Sequence, residues 1–199
     1  MRKLVAGLLA LAGAAVLLAG CGRKTERADE TCLVFRKNGE VIHTIAEDFS
    51  ESYYDVEELK TTVLSQIAAF NEQSGTERIS LDSTELGEDG KLYMVMTFKS
   101  PQDYTSFYRQ ALFCGTVSGA YTAGYDLDIR LKSVKTEGEI IGREEILDMG
   151  EKHILVVREQ ITVRPFGEIL YASEDVEVSG DGKQAVTTDG DNLSFIIFK

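Results

Sequence analysis

Two stretches with a helical repeat, set among many short runs that alternate apolar and polar residues, constrain the fold of this chain most. In the first, Val56, Leu59, Val63, Ile67 and Phe70 recur at three- and four-residue steps, which predicts one apolar face on a helix over 56–73. Asp55 stands at the cap position with Glu58 three residues on, the spacing of a capping box, and Tyr54 and Leu59 are placed for a hydrophobic staple. Glu57 and Glu58 fall in the first turn, where the helix dipole favours acids. The second helix is predicted over 101–113. Ser100 caps it, Pro101 takes the first helical position, and Tyr104, Phe107, Tyr108, Ala111 and Leu112 form its buried side before Gly115. A short third helix fits between Thr116, a cap, and Gly124, a stop; Arg143 to Met149 holds one helical turn or two.

The rest reads as strands. Cys32 to Lys37 and Glu40 to Ile45 flank Asn38-Gly39, a hairpin signal of the type I′ kind, which needs positive φ at both central residues. Ile79 and Leu81 alternate with polar neighbours. After the turn Glu88 to Lys91, the residues Leu92, Met94, Met96 and Phe98 share one strand face. Leu127, Ile129 and Leu131 alternate. His153 to Glu159, Ile161 to Arg164, Ile169 to Ala172, Val176 to Val178 and Ala185 to Thr188 are β-rich, and Leu193 to Phe198 closes the chain. A terminal strand of that apolarity needs pairing inside a sheet, because exposed it invites aggregation. The order of elements argues for an α+β fold with a largely antiparallel sheet, two main helices and a C-terminal part that is mostly β. A weak boundary near 136–142 is the one place where a division suggests itself, and one continuous domain over 32–199 is favoured.

The N-terminus carries a different signal. Arg2 and Lys3 precede an apolar run from Leu4 to Leu17, and Leu18-Ala19-Gly20-Cys21 follows at once. This resembles the cleavage and lipidation box of bacterial lipoproteins. From Leu4 to Gly20 the run is too short for a comfortable bilayer span, and three glycines weaken it as a permanent helix. The resemblance implies a signal peptide over 1–20, cleavage before Cys21, and a diacylglycerol on its thiol that moors the protein to the cell membrane on its extracytoplasmic face. Residues 22–30 are polar and aperiodic, and 21–31 read as the lipidated cysteine and its tether, reaching roughly 30 Å when extended. Tyr53-Tyr54-Asp55 with Glu57-Glu58-Leu59-Lys60, Phe70-Asn71, Asp103-Tyr104, Gly124-Tyr125-Asp126 and Gly167 to Ser173 are similar to segments of uncharacterised lipoproteins of Gram-positive anaerobes. That family has no assigned activity, so the resemblance implies a location and no catalytic residues.

Charge narrows the partners. The chain has 21 basic and 33 acidic residues. Without Arg2 and Lys3 the remainder keeps 19 basic ones, a net charge of −14. Nucleic acid is disfavoured, since its binding rests on neutralising phosphate. A basic peptide or an envelope protein is the better match, against the plainer reading that an acidic surface keeps an exported protein soluble. Beyond Cys21 the cysteines are Cys32 and Cys114. A disulfide between them and two separate buried thiols are both open.

No catalytic set, metal site or cofactor motif emerges. The two histidines, His43 and His153, lie in predicted strands and read as strand residues with one face exposed; the pattern of a zinc site is missing. Gly115-Thr116-Val117-Ser118-Gly119 is not a nucleophile elbow. The acids from Glu47 to Glu58 read as solvated charge at a helix start, although a hard cation would find oxygens there. Tyr104 and Tyr108 read as core, whereas Tyr121 and Tyr125 in a glycine-rich segment are candidates for a contact surface. The leading expectation is a membrane-tethered binding or interaction module. An envelope hydrolase whose site is assembled from distant residues, and a structural component of an envelope complex, are the alternatives.

Overall fold

The alternating runs resolve into two sheets rather than one. The structure, a computed structural model, describes residues 28–199; the expected signal peptide, Cys21 and most of the expected tether lie outside the described residues. In chain order the elements are β1 (Cys32–Phe35), β2 (Val41–Asp48), α1 (Val56–Ser74), β3 (Ile79–Leu86), β4 (Lys91–Phe98), α2 (Pro101–Tyr108), β5 (Leu112–Thr116), α3 (Val117–Thr122), β6 (Leu131–Ser133) and β7 (Ile140–Ile141). They continue with α4 (Arg143–Asp148), β8 (His153–Val157), β9 (Thr162–Arg164), β10 (Ile169–Ala172), β11 (Val176–Val178), β12 (Ala185–Thr187) and β13 (Ser194–Phe198).

The first sheet has seven strands in the order β11-β12-β9-β1-β2-β4-β3, and the second has six, β5-β8-β13-β10-β6-β7. All ladders are antiparallel except β1 with β9. The α+β reading with an antiparallel bias therefore holds. Both sheets draw strands from either side of 136–142. A cut there would split both sheets.

Period-two patterning sets the layers. Leu33, Phe35, Val41, Met94, Met96 and Phe98 from the first sheet meet Leu112, Leu155, Val157, Ile196 and Phe198 from the second, with α1 and α2 contributing Ile67 and Tyr104. The other face of the second sheet carries Ile154, Val156, Phe195 and Ile197, which pack under Val117 and Ala120 of α3 and Ile146 of α4. β8 and β13 are thus buried on both faces, which explains their unbroken apolar runs. Among the described residues no helix is long and apolar enough to cross a membrane.

Three local expectations change. The β1–β2 hairpin does form, but Asn38 has negative φ and only Gly39 is positive, at 88°. Arg36 N–H donates to Glu40 O at 2.9 Å and Gly39 N–H to Arg36 O at 3.0 Å. The loop is therefore a three-residue turn with Gly39 at a bulge, in place of the two-residue type I′ turn. Second, α2 stops at Tyr108 because Arg109 takes a left-handed cap (φ 60°) and Leu112 onward pairs with β8 from Leu112↔Val157 to Thr116↔His153. The apolar positions assigned to the end of a helix over 101–113 also alternate, and the ladder wins. Thr105 Oγ1 completes the turn, accepting from Leu112 N–H at 3.1 Å. Third, Glu30 at the end of the expected tether is already tied to the fold, accepting from Arg164 and Gln184, each at 3.2 Å.

Ile196 has no exposed surface and sits between its neighbours on β8 and β10. Ile196→Ala is expected to lower unfolding free energy by about 2–5 kcal/mol, as the lost burial and the residual cavity add. Urea denaturation followed by circular dichroism measures it.

Candidate functional site

Helix α1 is held hard at one end and loosely at the other. At its C-terminal end Asn71 Nδ2 donates to Ile79 O at 2.8 Å, and its Oδ1 accepts from Arg78 and Ile79 N–H at 2.8 and 3.0 Å. Gly75 caps the helix there with φ 67°. Ile67 beside this staple is the buried residue of the helix, whereas Val56, Leu59 and Val63 toward the N-terminus are only partly covered. Asp55 caps the free end, taking the amides of Glu57 and Glu58 at 2.9 and 3.0 Å.

The looser half leaves a cleft of about 480 Å³ between α1 and the first sheet. Leu59 and Val63 form its roof. Ile45 of β2 and Leu92, Met94 and Met96 of β4 form its floor, and Phe107 and Tyr108 of α2 close its inner end. Volume and lining are those of small-molecule sites, which are mainly apolar with a few placed polar groups. Methionine suits such a floor, being unbranched and adaptable.

Behind the inner end lies a polar cluster. His43 Nδ1 is 3.2 Å from Tyr108 Oη, which in turn donates to Met96 Sδ at 3.4 Å. The imidazole stands edge-on to Tyr104 and Tyr108, centroids 5.5 and 5.3 Å away. Tyr104 Oη donates to Glu159 Oε2 at 2.7 Å. Burial controls the protonation of all four. It lowers the His43 pKa to about 4, and it raises the carboxyl of Glu159 and both phenols, the phenols further through the Glu159 charge. His43 is therefore neutral at physiological pH. Two buried polar atoms find no hydrogen-bond partner among the described residues, His43 Nε2 and Thr84 Oγ1. They sit directly across the ladder from the two floor methionines, His43 opposite Met96 and Thr84 opposite Met94. Buried atoms left this way are where an ordered water or a ligand atom is expected.

The mouth is acidic and aromatic. Glu47 and Asp48 line it with Phe49 and Tyr54. Glu47 Oε1 accepts from Thr31 Oγ1 at 2.8 Å, which fixes its carboxylate. Hydrogen bonds from Ser50, helped by Lys91, hold Asp48 below the usual carboxylate range. Phe49 and Tyr54 stack at 4.6 Å, and Tyr53 meets Tyr54 at 4.7 Å. Tyr53, Tyr54 and Leu86 are among the most exposed large apolar residues described.

Several residues singled out in the sequence lie elsewhere. Tyr121 is 52% exposed on α3 with the Arg143 guanidinium 5.7 Å from its ring centre. Tyr125 instead packs on Phe113, centroids 5.3 Å apart, against the second core. The two therefore do not form one exposed patch. Cys32 and Cys114 are both free thiols on different sheets. Cys114 packs against the first core, and Cys32 shares the opposite face of its sheet with Thr44, so the disulfide does not form. Burial pushes the Cys114 thiol up to about 12 and also raises Cys32; neither is a poised thiolate. His153 is partly exposed beside Phe166 and Phe198, as expected of a strand histidine. His43 is not: it shares its strand face with Val41 and Ile45 and is buried. Among the described residues no group of three or more His, Cys, Asp or Glu is arranged to hold a metal ion.

The chain matches no protein-family model, no curated protein and no solved structure.

The His43 environment makes stability depend on pH with a definite sign. Unfolded, the imidazole titrates near 6.5; folded, it is held to about 4. Between those values the unfolded chain takes up a proton that the folded chain refuses, so stability is full above the upper value and falls toward the lower. The loss is roughly 3 kcal/mol. Urea unfolding at a series of pH values measures this limb, and His43→Gln is expected to flatten it.

Proposed function

We propose that the protein is a lipid-anchored binding module on the extracytoplasmic face of the cell membrane, and that the cleft beneath α1 is its binding site. The observation that carries the proposal is the cleft itself, an open and mainly apolar groove of about 480 Å³ whose polar lining is limited to Glu47, Asp48, Gln66 and the Tyr54 and Tyr108 hydroxyls. Among the described residues that line it, no nucleophile is paired with a base for acyl or phosphoryl transfer. The group bonded to His43 is a phenol made less acidic by burial, and the thiol of Cys114 is held protonated. The Leu18 to Cys21 box supplies the anchoring half of the reading.

The two halves are tested separately. Cys21→Ser is expected to release the protein from the membrane fraction and to remove acyl mass from the mature N-terminus; a variant that fractionates like the parent ends the anchoring idea. Val63→Trp fills the roof of the cleft from a partly exposed position. It is expected to weaken binding of the apolar fluorophore N-phenyl-1-naphthylamine at least about tenfold, while stability changes by less than about 1 kcal/mol. Equal fluorescence enhancement by parent and variant would remove the cleft as the site.

A further inference from the structure

We infer that the cleft takes an amphipathic cation, an apolar tail carrying one ammonium group; this deepens the binding reading above and rests on it. The lining supplies the argument. No lysine, arginine or histidine lines the cleft, and its two ionisable acids, Glu47 and Asp48, both stand at the mouth. A fatty acid or a phosphate headgroup would bring a negative charge to these carboxylates and find no basic partner in the lining. A neutral ligand would leave Glu47 without a counter-charge among the described residues. An ammonium group answers both.

Position within the sheet separates the two acids. Glu47 pairs with Leu92 and so shares the face that floors the cleft. Asp48 pairs with Lys91 on the opposite face, where that ammonium already lies close enough to favour its charge. Glu47 is therefore the chief counter-ion, and Thr31 holds it in place before any ligand arrives. Lys60 of α1, next to Leu59 in sequence, does not line the cleft.

The aromatics fit the same ligand. A cation is drawn to the face of a tyrosine or phenylalanine ring, and quaternary ammonium groups are commonly recognised this way. The Phe49–Tyr54 stack lies at the mouth beside both acids, and Tyr53 abuts it. The inner end suits a tail. The Tyr108 hydroxyl is already engaged with His43 and Met96, so a methyl terminus there displaces no bond. The excess of acidic over basic residues, 33 against 21 in the full sequence, adds long-range attraction for a cation.

Calorimetry on the full chain carrying Cys21→Ser, which keeps the lipid anchor out of the measurement, tests this with three probes of one tail length: decyltrimethylammonium, decanol and decanoate. The expected order is cation, alcohol, acid, with the cation ahead of the alcohol by about tenfold and the gap narrowing in high salt. Glu47→Gln is expected to weaken decyltrimethylammonium by about five- to tenfold and to leave decanol unchanged. Asp48→Asn, whose carboxylate already has Lys91, should do less. Equal affinities, or a preference for decanoate, would overturn the cation inference and leave an apolar binding site standing. Binding of none of the three, or binding that Val63→Trp does not diminish, would overturn both.

Discussion

The structure depends on one doubly buried strand. β13 lies between β8 and β10, and its alternate residues enter two different cores: Ser194, Ile196 and Phe198 face the first sheet, Phe195 and Ile197 face α3 and α4. Every side chain of the strand is buried. Its one polar member, Ser194, is bonded to Asp175, which removes the desolvation penalty a lone hydroxyl would carry. Two layers of apolar packing share this strand, so the second sheet cannot shift without disturbing both. The first sheet and α2 rest on that base. α1 rests on the first sheet, most deeply through its C-terminal half, where Ile67 is buried, while Val56, Leu59 and Val63 are only partly covered. The cleft is what remains where the support stops.

This hierarchy explains what was legible in the residues. β13 was readable because a run such as Ser194 to Phe198 has no solvent-compatible face. α1 was readable because its cap, period and stop agree, and Asp55 and Gly75 do what their side chains and backbone allow. The end of α2 was not. Leu112 and Cys114 satisfy a helical step and a strand alternation about equally well, and the choice lies with β8, some forty residues on. The division into two sheets was hidden for the same reason, since β1 pairs in parallel with β9 across a separation no local pattern records. His43 was within reach: it alternates with Val41 and Ile45, and strict period two puts it on the inner face.

The site itself had a weaker signature. Its floor, Leu92 to Met96, and its roof, Leu59 and Val63, were recognised as apolar faces. What the sequence lacks is the gap between them, which follows from Asn71 fastening one end of α1 while the other stands off. Glu47 and Asp48 read as solvated acids ahead of a helix. Only the register distinguishes them, turning Glu47 toward the cleft and Asp48 toward Lys91. The expected contact surface at Tyr121 and Tyr125 rests on amphipathic rings in a glycine-rich segment; Tyr121 is exposed, and Tyr125 has its own packing partner in Phe113.

Thr31 joins two roles that the sequence keeps apart. It is the residue just before β1, and its hydroxyl steadies Glu47; Glu30 next to it is clamped by Arg164 and Gln184. For a chain moored at Cys21, the chain length between anchor and clamp would set a reach of at most roughly 25 Å at full extension. This leash departs from the same corner as the opening under α1. Such a leash would hold that opening no farther from the bilayer than its own extended length. Lengthening residues 22–27 would then change what the opening can reach without altering a single atom that lines it.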